Sequence, residues 1–342
     1  MSKVFFPPEW YSQSAIQLTW PHEFSDWAYM LEEISACFVN IAQEILKRQK
    51  LIIVCHNSPL VKFLLGDGFD KSNLILVEIP SNDTWARDHG SISVLIEDKP
   101  VLYDFTFNGW GMKFAANSDN LINRELFKMN CFAPEVQLIN KKDFVLEGGS
   151  LETDGKGTLL TTSECLLSPN RNSYLDKGGV EEYLKKSFGL NRVLWVDYGY
   201  LAGDDTDSHI DTLARFCDER TIAYVKCDDP TDEHHGALSK MEEQLRSFTD
   251  FEGKPYNLIP LPMANKVMED GERLPATYAN FLIINGAVLV PTYKSNKDKP
   301  ALEQIQKAFP DREIIGINCL PIIKQHGSLH CVTMQYPENY VK

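Results

Sequence analysis

Phe281-Leu282-Ile283-Ile284-Asn285-Gly286-Ala287-Val288-Leu289-Val290 holds two apolar runs joined by Asn-Gly. Asn-Gly tolerates the positive φ that a two-residue turn needs, so the two runs are expected to fold back as a hairpin. A helix is expected next over 297–309, then a strand over 313–319. A hairpin followed by a helix and a third strand makes a mixed sheet, and places the chain in the α/β class rather than among purely parallel folds. The same strand–strand–helix–strand order recurs upstream at a spacing of roughly 60–70 residues, and five such groups would fill the chain. Strands are expected at 16–20, 51–55, 74–79, 91–96, 100–107, 135–139, 193–197, 213–227, 256–262 and 279–293. Helices are expected after Ser58-Pro59 and at 119–129, 178–188 and 232–248. A long helix over 26–49 is expected from Trp27, Met30, Leu31, Ile34, Phe38, Ile41, Ala42 and Ile45, which recur at three- and four-residue steps, with Ser25 as its cap. Pro7-Pro8-Glu9-Trp10 forms a rigid lead-in. No Pro-, Gly- or Ser-rich linker divides the chain, so a single domain over 1–342 is expected.

The chain has 342 residues, 43% of them hydrophobic, enough to bury a sizeable core. Its net charge of −14 argues against nucleic acid, whose phosphates need a basic surface. That charge suits solubility, and it would also steer a small cation toward the protein. Eight scattered cysteines lack the paired spacing of a structural zinc site, and fit free thiols in a reducing cytoplasm. The apolar stretch near Met1 is too short for a signal peptide, and no run approaches the ~18 apolar residues of a membrane span.

Several stretches can carry chemistry. Near the end, Gln325-His326-Gly327-Ser328-Leu329-His330-Cys331-Val332-Thr333 places a cysteine after small residues that permit a tight bend. Two readings are open: a buried strand cysteine, or a displayed nucleophile. In Asp83-Thr84-Trp85-Ala86-Arg87-Asp88-His89-Gly90, Asp88 is suited to clamp a cation through paired hydrogen bonds and Trp85 to stack on it. A structural pair between Arg87 and a carboxylate is the alternative. Glu147 leaves an apolar strand into Gly148-Gly149, where backbone can approach a ligand closely; a turn with a solvated glutamate is the alternative. In Asp204-Asp205-Thr206-Asp207-Ser208-His209-Ile210-Asp211, strand alternation would set His209 and Asp211 on one face, as acid–base chemistry needs; a plain surface loop is the other reading. The acidic run lacks the spacing of an EF-hand calcium loop, and no metal is expected. His330 would face away from Cys331 in an extended segment, which leaves His209 as the better proton carrier. His234-His235 reads as surface.

Taken together, these residues resemble the agmatine deiminase family, also called agmatine iminohydrolases, and its Porphyromonas-type peptidylarginine deiminase relatives. The resemblance runs in order along nearly the whole chain. It includes Trp10, Trp20-Pro21-His22, Trp85 to Gly90, Phe107-Asn108-Gly109-Trp110-Gly111, Leu146 to Ser150, Glu164-Cys165-Leu166-Leu167 with Arg171-Asn172, and Asp205 to Asp211. Leu274 to Phe281, Asn285-Gly286 with Val290-Pro291, and His330 to Gln335 with Pro337 complete it. One stretch alone would be weak; the ordered set is specific. Two departures stand out. His326-Gly327-Ser328-Leu329 replaces a glycine-rich run, and Ser208 stands where a glycine often precedes the family's histidine.

The resemblance implies a five-fold pseudo-symmetric α/β propeller, the pentein fold. It implies Cys331 as nucleophile, His209 as acid and then base, and Asp88, Glu147 and Asp211 around a guanidinium, with Trp85 lining the pocket. No metal or organic cofactor is implied. The expected reaction is hydrolysis of agmatine, a small cationic guanidino compound, to N-carbamoylputrescine and ammonia through a covalent amidino-thioether. The alternatives are deimination of arginine or peptidylarginine, and amidino transfer to an amine. An arginine enzyme needs a cation for the α-carboxylate, and Arg87 and Arg215 stay open for that role. A carboxylate is expected for agmatine's distal ammonium, with Asp204, Asp205 and Asp207 unranked. Relatives suggest a homodimer or larger homo-oligomer in the cytoplasm.

Overall fold

A computed structural model of the chain describes residues 3–342. Among the described residues, five sheets repeat one plan. A first strand runs antiparallel to a second; a helix follows; a third strand then lies parallel to the second. The quoted hairpin shows it. Leu282–Ile284 pairs with Ala287–Thr292 across Gly286, whose φ is +73°. Helix Asp298–Ala308 then returns the chain to Glu313–Asn318, parallel to Ala287–Thr292. The plan recurs with strands Ile92–Ile96, Lys99–Thr106 and Gln137–Val145 around helix Asp119–Lys128. It recurs with Glu152–Thr153, Thr158–Thr162 and Arg192–Val196 around helix Lys177–Phe188. A fourth instance uses Ala214–Phe216, Thr221–Lys226 and Asn257–Pro262 around helix His235–Ser247. In the fifth, the last strand of the chain, Thr333–Pro337, is the first strand of the sheet built by Gln13–Thr19 and Lys50–Cys55. The end of the chain therefore closes on its beginning.

The helices form where apolar periodicity demands a buried stripe. Leu31–Leu46 buries Ile34, Cys37, Phe38, Ile41, Ala42, Ile45 and Leu46. It begins later than the periodicity suggests. Residues Ala28–Met30 form a 3₁₀ turn, and the Ser25 hydroxyl donates to the His22 carbonyl at 2.7 Å instead of capping the helix. Ser58–Leu65 is capped by Asn57, whose side chain accepts from Leu60 N, with Pro59 in the first turn. Two expectations change. Residues 213–227 form a hairpin, not one strand. His234 is buried, its Nε2 accepting from Ala202 N at 2.8 Å, so it is not a surface residue. No helix among the described residues is long and apolar enough to cross a membrane.

Candidate active site

Each of the five plans is entered through a connection, and those connections supply the candidate residues. Asp88 precedes Ile92–Ile96, and Glu147 precedes Glu152–Thr153. His209 and Asp211 precede Ala214–Phe216; Asn280 precedes Leu282–Ile284; Cys331 precedes Thr333–Pro337. Equivalent connections from five repeats thus converge on one place. There, Trp85, Asp88, Trp110 and Cys331 line a cavity of about 170 Å³.

Asp88 sits on the short helical turn Ala86–His89. Its Oδ2 accepts from Trp110 Nε1 at 2.9 Å and its Oδ1 from Gly149 N at 3.0 Å. The same Oδ1 lies 3.6 Å from His209 Nδ1. A Cβ at Gly149 would stand 2.5 Å from His209 Nδ1 and 3.0 Å from Asp88 Oδ1, so only glycine lets these groups meet. Trp85 is pinned by Asp83, which accepts from the indole N–H groups of both Trp27 and Trp85 at 2.9 Å. Gly327 lies flat against the Trp85 ring, and a Cβ there would stand 2.1 Å from it.

His209 and Asp211 do share a face, but no strand puts them there. The 3₁₀ turn Ile210–Thr212 follows His209, and the Thr212 hydroxyl locks it by donating to the His209 carbonyl at 2.8 Å. Ser208 adopts φ +63°, a backbone that costs a residue with a side chain ~1 kcal/mol or more. Asp211 Oδ2 faces His330 Nδ1 at 2.7 Å. Asp211 Oδ1 and both ring nitrogens of His209 are buried with no hydrogen-bond partner within the protein. Buried polar atoms normally have partners, and these three gather beside Asp88 and Gly149.

Cys331 lies in a turn before its strand. Its Sγ and N both approach Asn280 Oδ1 at 3.4 Å, and Asn280 Nδ2 donates to the Asp211 carbonyl at 3.2 Å. Glu147 is fully buried and does not line the cavity. Arg171 Nε reaches its two oxygens at 3.0 and 2.9 Å, while Arg171 Nη1 holds Asp207 at 2.6 Å. Glu147, Cys165 and His209 bring ligand-type atoms within 4.8 Å of one another. The Arg171 guanidinium already engages Glu147, so this is an ion-pair cluster rather than a metal set.

Buried carboxylates and a buried thiol set the electrostatics of the site. Burial pushes the Cys331 thiol well above its ordinary pKa, reinforced by the charges of Asp211 and Asp88. Burial raises Asp88 too, and Asp211 and Glu147 add to it against the pull of His209. Burial alone would lower His209, but Asp88, Cys165 and Glu147 outweigh it and lift the imidazole well above its usual range. A bound cation reverses this balance: it favours the carboxylates and the thiolate together.

The mouth adds Asp26, Phe114, Asp205, Thr206, Gln325 and His326. Of the three unranked acids, Asp204 turns onto Thr206 and Ser208 at 2.7 Å, and Asp207 pairs with Lys113 and Arg171. Asp205 alone of them lines the cavity. Arg87 and Arg215 both face Glu9, at 3.5 and 2.9 Å, away from the cavity. Sequence reasoning missed Glu9 and Asp83. It held Arg171 and Asn280 only as letters within the family resemblance.

The model of the Porphyromonas-type peptidyl-arginine deiminase family matches residues 5–337. A Vibrio parahaemolyticus protein named "Putative agmatine deiminase" is 34% identical, covering 97% of this chain and 96% of its own length. The solved Porphyromonas gingivalis protein named "Putative Arginine Deiminase" is 57% identical with TM-score 0.96, covering 99% of this chain and 100% of its own. The C. jejuni agmatine deiminase, solved as a cysteine-to-serine variant with substrate bound, is 38% identical with TM-score 0.92, covering 100% and 98%.

Proposed function

The chain belongs to the Porphyromonas-type peptidyl-arginine deiminase family, and within it we propose that this protein is a hydrolase converting agmatine to N-carbamoylputrescine and ammonia. One observation carries the choice of substrate. Among the described residues, the cavity lining includes Asp26, Asp83, Asp88 and Asp205 and no lysine or arginine. Agmatine is cationic at both ends. Arginine would bring an α-carboxylate into this acidic mouth, with Arg87 and Arg215 committed to Glu9.

The guanidinium binds with its N–H groups on Asp88 and on the open Oδ1 of Asp211, its plane beside Trp85 and Trp110. The arriving charge releases the thiol proton of Cys331 to solvent, and the thiolate adds to the guanidinium carbon. The His209 imidazolium gives its proton to the leaving nitrogen. Ammonia departs as the C–N bond breaks, leaving a cationic amidino-thioether and a neutral imidazole. His209 then takes a proton from water as the water oxygen bonds to that carbon. Collapse breaks the C–S bond and returns the thiolate, and the hydroxyl proton passes through solvent to ammonia as the neutral ureido product leaves. Asp88 is the main charge that keeps His209 protonated at the start, and Glu147, held by Arg171, adds to it from behind. Overall, guanidinium and water give urea and ammonium.

Five sheets of one plan, with the chain's end closing on its beginning, support a five-fold pseudo-symmetric propeller forming a single catalytic domain. Free, buried cysteines support a cytoplasmic setting. Assembly as a homodimer or larger homo-oligomer remains part of the reading, and light scattering on purified protein tests it.

The similarity to the P. gingivalis protein named for arginine favours deimination of arginine as the second reading. The test is turnover of agmatine, arginine and a peptidyl arginine by purified protein, following ammonia and ureido product. Agmatine should dominate. Faster turnover of arginine, or no product from agmatine, ends the leading reading. Transfer to an added amine would identify an amidinotransferase.

A further inference from the structure

His330 stands next to Cys331 in the chain, yet its ring turns away from the cavity. It is buried, with Nδ1 2.7 Å from Asp211 Oδ2 and Nε2 2.6 Å from Glu9 Oε2. Glu9 comes from the Pro-Pro lead-in and forms a hub. Its Oε1 accepts from Ile283 N at 2.7 Å, and its Oε2 also meets Arg215 at 2.9 Å and Arg87 at 3.5 Å. Burial would raise Glu9, but His330, Arg215 and Arg87 hold it well below the usual carboxylate range. Burial would raise Asp211 likewise, and besides His330 the charges of His209 and Arg215 act to lower it. An ionised carboxylate only accepts hydrogen bonds, and a neutral imidazole has a single N–H. Glu9 faces the guanidinium groups of Arg215 and Arg87 with Oε2 and accepts from Ile283 N with Oε1, so its contacts alone make it an acceptor; with Asp211 Oδ2 at the other ring nitrogen, both nitrogens of His330 are placed to donate.

We infer that His330 is a standing imidazolium bridge, anchored on Glu9, that positions Asp211 so that its unpartnered Oδ1 faces the guanidinium. His330 touches no reacting atom. It acts through Asp211, and it couples the N-terminal lead to the site. Without the bridge, Asp211 is a buried carboxylate close to Asp88, and one of two such neighbours tends to take up a proton. A protonated or rotated Asp211 loses its grip on a planar cation. The inference rests on the guanidine-hydrolase reading above.

The first test needs no substrate. In full-length protein with ¹⁵N-labelled histidine, His330 should show two exchange-protected imidazole N–H protons at neutral pH, both absent in His330→Gln. A single protonated nitrogen overturns the proposal, whatever the enzyme's substrate proves to be. The second test is kinetic, on agmatine, with the parent enzyme's turnover testing the functional reading separately. His330→Gln should lower kcat by on the order of 10- to 100-fold, the scale at which supporting partners act on the groups they orient. The acid limb of kcat/KM should move to higher pH. Asp211 faces His330, His209, Asp88 and Cys331, with the charges of Arg215 and Arg87 farther off. His330 supplies the contact that the variant removes. His330→Asn sets an amide donor near the Nδ1 position and should recover part of kcat; Gln, whose amide reaches toward Glu9, should not. A folded His330→Gln enzyme within about threefold of the parent, with its acid limb unmoved, overturns the proposal. Should His330→Gln fail to fold, the spectrum of the unmodified protein still decides.

Discussion

The floor and the mouth of the cavity are built on different principles. Asp88 and Cys331 line the floor and His209 and Asp211 sit behind it; all four are 4% exposed or less, and each lies on a connection that precedes the first strand of its repeat. At the mouth, Phe114 is 45% exposed, the Asp205 side chain is 44% exposed, and Asp26 is exposed. Charges on the floor act in low dielectric and decide protonation states; charges at the mouth are screened and bias which cation enters. The proposed function therefore assigns reaction type to the floor and substrate choice to the mouth. The two can be separated by substitution.

The largest effect should come from the floor. Cys331→Ala removes the only protein group in the proposed scheme that bonds to the guanidinium carbon. Turnover should fall by about 10⁴-fold or more, while agmatine binding, read by calorimetry, persists. Activity near that of the parent would remove Cys331 from the reaction. An intermediate effect should come from Gly149→Ala. The new methyl would stand 2.5 Å from His209 Nδ1, so His209 or Asp88 must move. A displacement of that size costs about 10²-fold in kcat, and forcing the methyl into packed surroundings costs ~1–3 kcal/mol of stability. Chemical denaturation and steady-state kinetics measure the two losses. Unchanged kcat would show that the close convergence of His209 and Asp88 is not needed for chemistry.

The contrast also explains what could be read in the chain. Strand order and helix order follow from local signals: Asn285-Gly286 for a hairpin, the stripe from Ile34 to Leu46 for a helix. For the floor, glycines and strand ends beside Asp88, Glu147 and Cys331 mark candidates with alternatives left open, and only the family resemblance joins them with His209 and Asp211 into one site. The reason given for His209 and Asp211 needed revision: a 3₁₀ turn aligns them, where strand alternation was expected. Glu9 was illegible because its partners, His330, Arg215 and Arg87, are far away in sequence, and an acid after two prolines carries no local mark. Burial of His234 was hidden in the same way, since it depends on Asp232 and on Ala202 from another segment. Asp204, Asp205 and Asp207 look alike as letters. Only the fold shows that one caps a turn, one pairs with Lys113 and Arg171, and one lines the cavity.

That last distinction gives the smallest and most selective prediction. Asp205 lies at the mouth beside His326, whose Nδ1 is 4.0 Å from Asp205 Oδ2 and 2.6 Å from the Gly203 carbonyl. His326 adopts φ +66°. A half-exposed carboxylate attracts an ammonium weakly, since solvent screens it and the pair must be ordered. Asp205→Asn should therefore raise KM for agmatine by about three- to tenfold and leave kcat within about twofold, because uniform binding is lost while the floor is untouched. A guanidino substrate of similar length without the distal ammonium should show the same KM in parent and variant. An equal KM rise for both substrates would assign Asp205 to the shape of the mouth rather than its charge. A fall in kcat would join the mouth to the chemistry and dissolve the division between the two regions.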